Sequence, residues 1–442
     1  MAQHARCTLL VVAAIAVLGH AVGAKAAEPR PAAESEALLA ADPEGALEAR
    51  AWPVLPRAGA RADSAAALRP SPAAAFDTTA ATGFVDYLWV LRGSLASPAS
   101  VDSVLARARR MGVRGLLVQV VGRGDACYRS DILPRAEFID RAAGPGFDPF
   151  GVLLARAHDQ GLEVHAWMNC LLVWSAPQPP RDPRHVLNAH PEWIAEMRGG
   201  RRMTAMGARE RELRQVEGVF LSAAHPGVRA WLGSVAREIA ERYPVDGIHL
   251  DYIRDPSVDV GWDPTTRARF ALETGVDPEH MDHLTPAERA RVSEAWAQFQ
   301  RNQVTAIVRT VRDSVLAARP GVQISAAVVA DTVRAERSNS QMWRDWVRDG
   351  LLDRAFLMCY AAPVQTVMSQ LLRFAVELGP GRIVPGIAMF NTAPLTAALK
   401  IKGARELGYT RVALYSYDSL FDDRSYLAAL LGQFHAGAPE NR

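Results

Sequence analysis

The residues with the most chemical promise lie in the stretch Val245 to Arg254, VDGIHLDYIR, which sets a carboxylate, Asp251, at the carboxyl end of a short apolar run. Side chains alternate across a strand, so Gly247, His249 and Asp251 share one face while Ile248, Leu250 and Tyr252 share the other. One face reads as packing and the other as a site. A lone Asp at a strand end more often holds neighbouring backbone than performs chemistry, so its surroundings must decide. In a second stretch, His165, Trp167 and Asn169 share a face while Val164, Ala166 and Met168 share the opposite one. A purely structural strand seldom spends a His, a Trp and an Asn on one inward face. Further polar or aromatic segment ends are Arg123, Asp125 and Tyr128, then Asp331, then Tyr360, then Tyr415 with Tyr417 and Asp418.

Aromatic faces mixed with carboxylates and amides suit sugars, whose C–H faces stack on rings and whose hydroxyls need many hydrogen-bond partners. Glycosidic cleavage needs two carboxyl groups, one to protonate the leaving oxygen and one to act as nucleophile or base. Asp251 and Asp331 form the candidate pair. Asp251 suits the nucleophile or charge stabiliser, because Arg254 and His249 nearby could keep it ionised. Asp331 suits the acid if burial raises its pKa, yet it precedes Thr332 and could equally cap the following turn. Asp125 could be the second carboxyl instead, or a salt-bridged loop residue beside Arg123 and Tyr128. Asp418 could simply begin the last helix, and His165 and His249 could each be satisfied core histidines. Trp167 taken with Tyr360 and Tyr415 resembles a sugar platform.

Other chemistries lack their signatures. There is no GxSxG elbow, and His185 and His190 are not the i, i+4 pair of a zinc-protease helix. Cys127, Cys170 and Cys359 lack the paired spacing of a zinc site; one disulfide or three buried thiols would account for them. No metal and no cofactor are expected.

Eight segments carry strand character: Tyr87–Leu91, Val113–Val121, Glu163–Asn169, Gly247–Tyr252, Gln323–Ala330, Ala355–Tyr360, Ile383–Met389 and Val412–Tyr417. Amphipathic segments alternate with them, from Val101–Met111 to Tyr426–Phe434, punctuated by Ser100 or Asp102, by Asp148-Pro149, and by Gly161 and Gly350. Strict alternation with eight strands predicts a (β/α)8 TIM barrel rather than an open sheet, and no glycine-rich phosphate loop follows the first strand. Two connections are long, Leu171–His225 after the third strand and Asp255–Ala290 after the fourth. In a barrel such loops wall the catalytic mouth. The charged run Arg201 to Glu217 within the first reads as a solvated, charge-mixed loop or helix.

The chain has 442 residues, 49% hydrophobic and 22% charged, with a formal charge of +2, so it can bury a large core and lacks the concentrated basic character that nucleic acid demands. Residues 1–26 read as a signal peptide: His4 and Arg6, the apolar segment Thr8–Leu18, then Ala24-Lys25-Ala26. Residues 27–82 read as an Ala/Pro-rich disordered linker, and 83–436 as the barrel domain. The expected address is the periplasm or outside the cell, with no stable membrane insertion after signal removal.

The ordered motifs WVLRGSL, QVVGRGDACYRSDILP, GLEVHAWMN, HPEW, VDGIHLDYIR, DWVRDGLLD, MCY and YSYDSL resemble the bacterial family-10-like glycosyl hydrolases, across nearly the whole barrel from Gly83 to about Leu431. That resemblance implies extracytoplasmic glycoside hydrolysis with Asp251 as principal carboxylate. It also implies a cleft lined by Arg123, Asp125, His165, Trp167, Asn169, His249 and Tyr360; Tyr128, Tyr252, Arg254 and Tyr415 complete the expected substrate-binding set. Some relatives act on cell-envelope glycans, which makes peptidoglycan strands a first polysaccharide to test. Two places depart from the family pattern: Ser222-Ala223 replaces Asp-Pro, and Met358-Cys359-Tyr360 replaces a Pro-Met-Asn-Tyr-like ending. The fourth-strand motif is also similar to that of chitinases, but Ile253 stands where their proton-donating Glu belongs. The alternative expectation is a catalytically inactive barrel that binds glycan.

Overall fold

The computed structural model describes residues 84–422 and 424–435. The expected signal peptide and linker lie outside the described residues. Eight parallel strands close into a barrel: β1 Tyr87–Val90, β2 Gly115–Val121, β3 Glu163–Asn169, β4 Gly247–Asp251, β5 Gln323–Val329, β6 Arg354–Cys359, β7 Ile383–Ala388 and β8 Ala413–Tyr415. Each strand pairs with its neighbours in sequence, and β8 returns to β1. The (β/α)8 architecture expected from the alternating segments is the one observed.

The main outer helices are α1 Pro98–Met111, α2 Pro149–Asp159, α3 Pro226–Arg242, α4 Pro286–Ala318, α5 Trp343–Arg348, α6 Val364–Glu377, α7 Pro394–Glu406 and α8 Arg424–His435. Local chemistry fixes several starts. Asp148 accepts from the Gly151 N–H and precedes Pro149, whose fixed φ suits the first helical position. Thr285 and Glu288 form a reciprocal capping box at the head of α4. The α1 cap is Ser97, with Ser100 as its capping-box partner, so the helix starts a turn before Val101.

Side-chain parity partitions as the sequence implies. Val164, Ala166, Met168, Ile248 and Leu250 point outward into the continuous core beneath the helices. A separate inner cluster of Tyr87, Trp89, Leu117, Trp167, Phe356, Val384 and Ala413 fills the barrel. The register sets depth within it. His165 lies opposite Gly247, Trp167 opposite His249, and Asn169 opposite Asp251. Gly247 is required here, because a Cβ at that position would lie 2.1 Å from the His165 ring.

Both long connections are structured. The one after β3 pairs Leu172–Trp174 with Val219–Phe220 and carries a helix at Ala208–Arg214; the one after β4 carries a helix at Pro264–Thr274. A buried hydrogen bond of 2.8 Å between Ser222 and Thr266 joins them. The departure at Ser222 therefore serves loop architecture. Cys127, Cys170 and Cys359 are buried free thiols, so the expected choice between one disulfide and three thiols resolves to thiols.

Candidate active site

Asp251 ends β4 at the mouth of the barrel, 9% exposed. Its Oδ1 accepts from the Tyr252 N–H at 2.7 Å, a contact made possible by Tyr252 turning into the left-handed region at φ 48°. Burial pushes the Asp251 carboxyl up to about 6, an effect that the Tyr252 N–H and the Arg254 charge only partly offset and that Glu217 reinforces. A buried carboxyl poised near neutrality at a barrel mouth is the kind of group that exchanges protons.

Around it the structure gathers Trp167, Asn169, Tyr252, Arg254, Tyr360 and Tyr415 from the sequence-derived set. The Asn169 amide makes three hydrogen bonds: its Oδ1 accepts from the Trp167 indole at 3.0 Å and from Gln119 at 3.3 Å, and its Nδ2 donates to the Gly122 carbonyl at 2.8 Å. These bonds lock β3 to β2 and fix the Trp167 ring. Tyr415 lies 5.5 Å from Tyr360 and 6.4 Å from Trp167 between ring centroids, so three strand ends contribute one aromatic wall. The Tyr360 and Tyr252 hydroxyls are pushed well up by burial, with the Asp251 charge adding to the effect. The Arg254 guanidinium lies over the Tyr252 ring at 4.9 Å and donates to Glu217 at 2.6 Å.

Other expected residues stand elsewhere. Asp331 is exposed and accepts from the Arg334 N–H at 3.0 Å as the N-cap of a helix at Thr332–Arg337. The turn-capping alternative holds, and the buried environment that an acid role required is absent. His249 lies one layer below Asp251. The Trp89 indole N–H can only donate, so His249 Nε2 accepts at 3.1 Å and its Nδ1–H donates to Ser325 at 3.0 Å. Burial also drives its pKa well down, so His249 is a neutral core residue and does not help to ionise Asp251. His165 is deeper still, fully buried and 3.6 Å from Glu163.

Tyr128 lies outside the barrel in the helix-side core, donating to Glu238 at 3.1 Å. Asp125 forms an ion pair with Arg92 and accepts from the Arg123 N–H at 3.0 Å. Burial pushes its carboxyl up, but Arg92 and Arg123 outweigh it and the group ends below its ordinary value. Arg123 donates to Ser175 at 2.9 Å, and its carbonyl lies 2.6 Å from His185 Nε2. Gly124 sits over that ring at φ 70°, where a Cβ would be 2.7 Å from Nε2. This loop is therefore a rigid strut beside Asn169. Asp418 ties β8 to β1 by accepting from the Leu91 N–H at 3.0 Å and the Ser94 hydroxyl at 2.5 Å.

Two acids of the neighbourhood carry no clear sequence signal. Glu217, within the run read as solvated, is instead largely buried against Arg254. Asp255 is buried and pushed up to about 7, chiefly by burial, and its backbone is clamped to Asn339 by bonds of 3.0 and 2.8 Å. Among the described residues no group of three or more His, Cys, Asp or Glu could hold a metal ion. No described helix is long and apolar enough to cross a membrane.

The glycosyl hydrolase DigH of Escherichia coli K12 is 26% identical over 290 residues, covering 59% of this chain and 57% of DigH. YngK of Bacillus subtilis, also named a glycosyl hydrolase, is 22% identical over 270 residues, covering 57% of this chain and 46% of YngK. The chain thus spans about half the length of these curated relatives. The glycoside hydrolase domain of PgaB (BpsB) from Bordetella bronchiseptica shares the fold, with a TM-score of 0.59 at 16% identity, covering 78% of this chain and 97% of that domain. Residues 95–378 match the glycosyl hydrolase-like 10 family, a span running from just after β1 to the end of α6 and shorter than the motifs suggested. With this match over most of a closed barrel that has an Asp at its mouth, the chain belongs to the glycosyl hydrolase-like 10 family.

Proposed function

We propose that this chain hydrolyses glycosidic bonds and that Asp251 moves the proton at the scissile bond. The carrying observation is the Asp251 carboxyl, buried at the barrel mouth and pushed up to about 6. A group near neutrality can both give and take a proton, which favours an acid or base role over the nucleophile expected from the sequence. Tyr360 and Tyr415, both partly exposed, supply aromatic faces for sugar C–H groups, and the buried Trp167 ring supports Tyr415 from within the barrel. The names of DigH and YngK support the same chemistry. Hydrolysis of this kind asks for no cofactor. The export pattern in residues 1–26 supports an extracytoplasmic polysaccharide substrate, with peptidoglycan glycan strands as the first candidate.

The test is incubation of the purified protein with a panel of envelope and plant polysaccharides, with products read by mass, beside the Asp251→Asn variant. The wild type should release oligosaccharides, and the variant should lose about 100-fold to 10,000-fold in rate while still binding. A variant with near wild-type turnover on a verified substrate sinks the role of Asp251. Binding without product from the wild type points instead to a catalytically inactive glycan-binding barrel.

A further inference from the structure

Asp251 is faced by a small set of charged and titratable groups. These are Arg254 from the loop after β4, Glu217 from the loop after β3, Tyr252 and Tyr360, and the Cys170 thiol just past β3. Burial pushes the Tyr252, Tyr360 and Cys170 groups well up. Arg254 and Glu217 are therefore the charges that act on Asp251 near pH 6.

The geometry of those two is unusual. The Arg254 guanidinium is buried and held at two points, the Glu217 carboxylate at 2.6 Å and the Tyr252 ring at 4.9 Å. Its Nε and the Glu217 Oε2 are both buried without a hydrogen-bond partner among the described residues, so the pair is held by one oxygen rather than by a bidentate fork. Phe220, three residues after Glu217, packs edge-on against Tyr252 at 6.0 Å. The loop after β3 thus delivers a carboxylate to Arg254 and a ring to Tyr252, the residue that follows Asp251.

We propose that Glu217 is a positioning residue of the active site: by anchoring the Arg254 guanidinium over Tyr252, it sets how much positive charge the Asp251 carboxyl feels. The two partners act in opposite senses. Arg254 favours the ionised carboxylate, and Glu217 opposes it while also drawing the guanidinium toward itself. The link to catalysis rests on Asp251 being the working carboxyl; the charge relation does not.

The experiment is a pH titration of Asp251 in wild type, Glu217→Gln, Arg254→Met and Arg254→Lys. It is read by carboxyl NMR of aspartate-labelled protein, with the Asp251→Asn spectrum for assignment, and in parallel by kcat/KM against pH. Glu217→Gln should lower the Asp251 midpoint from about 6 and Arg254→Met should raise it, each by roughly half to one pH unit, with Arg254→Lys returning it toward wild type. A purely structural pair would not move the midpoint in opposite directions. Midpoints that stay put, or that move the same way in both variants, overturn the inference. An NMR midpoint that moves as expected while kcat/KM does not follow upholds the charge relation and removes Asp251 from the chemistry.

Discussion

Replacing Asp251 with Asn should cost activity and raise stability, and the size of the gain follows from the buried carboxyl. Its native value of about 6 lies above the ordinary 3.8. Between those two pH values the folded chain binds more protons than the unfolded chain, so stability falls as pH rises through the window and the penalty is complete above about 6. At about 1.36 kcal/mol for each power of ten, the gap from 3.8 to about 6 is at most about 3 kcal/mol at pH 7.5. At pH 4.5 the same two values leave about 1 kcal/mol. Asn keeps an oxygen for the Tyr252 N–H at this site and carries no charge to desolvate. For a barrel of about 350 residues, with roughly 2.1 cal/mol/K of unfolding entropy per residue, the gain at pH 7.5 is about 4 °C in Tm. Calorimetry or urea denaturation of wild type and Asp251→Asn at the two pH values checks this. A gain that does not grow with pH, or a loss of stability at pH 7.5, would refute the claim that Asp251 is held in a costly, desolvated state.

Three further outcomes are expected. Asp331→Ala should remove a helix cap worth about 0.5–2 kcal/mol while leaving kcat/KM within about threefold of wild type; a hundredfold loss on a verified glycan would restore the acid role. His249→Leu should destabilise the protein by about 1–3 kcal/mol for each orphaned partner, because the Trp89 indole and the Ser325 hydroxyl lose their bonds, and the pH profile of the surviving enzyme should keep the wild-type limb. Tyr415→Ala should raise KM by up to about tenfold, through loss of a ring contact worth roughly 0.5–1.5 kcal/mol, with a smaller effect on kcat; an unchanged KM removes the ring from the sugar-binding wall.

Much of the scaffold was legible because its signals are local. A strand buried on both faces, such as Gly115–Val121, reads as an apolar run broken only by Gln119, and Glu163–Asn169 carries a parity that the barrel obeys. What misled was height. His165, Trp167 and Asn169 do share the inward face, yet successive inward positions occupy successive layers, so only Asn169 stands at the level of Asp251. Parity distinguishes the two sides of a strand; depth depends on the stagger between strands, which no single strand encodes. Asp331 was misplaced for a similar reason, since capping residues and catalytic acids are the same residue types at the same kind of strand end.

By itself the sequence determined the period-two faces, the eight-fold alternation, and the carboxylate that ends the fourth strand. Only the closed barrel decided which polar residues meet. It buried Asp251 enough to carry its carboxyl toward neutrality, and it brought Glu217 onto Arg254, 37 positions later in the chain. Burial and charge act through space at a few ångströms, so their effects on Asp251 exist only once distant loops fold over the same strand end.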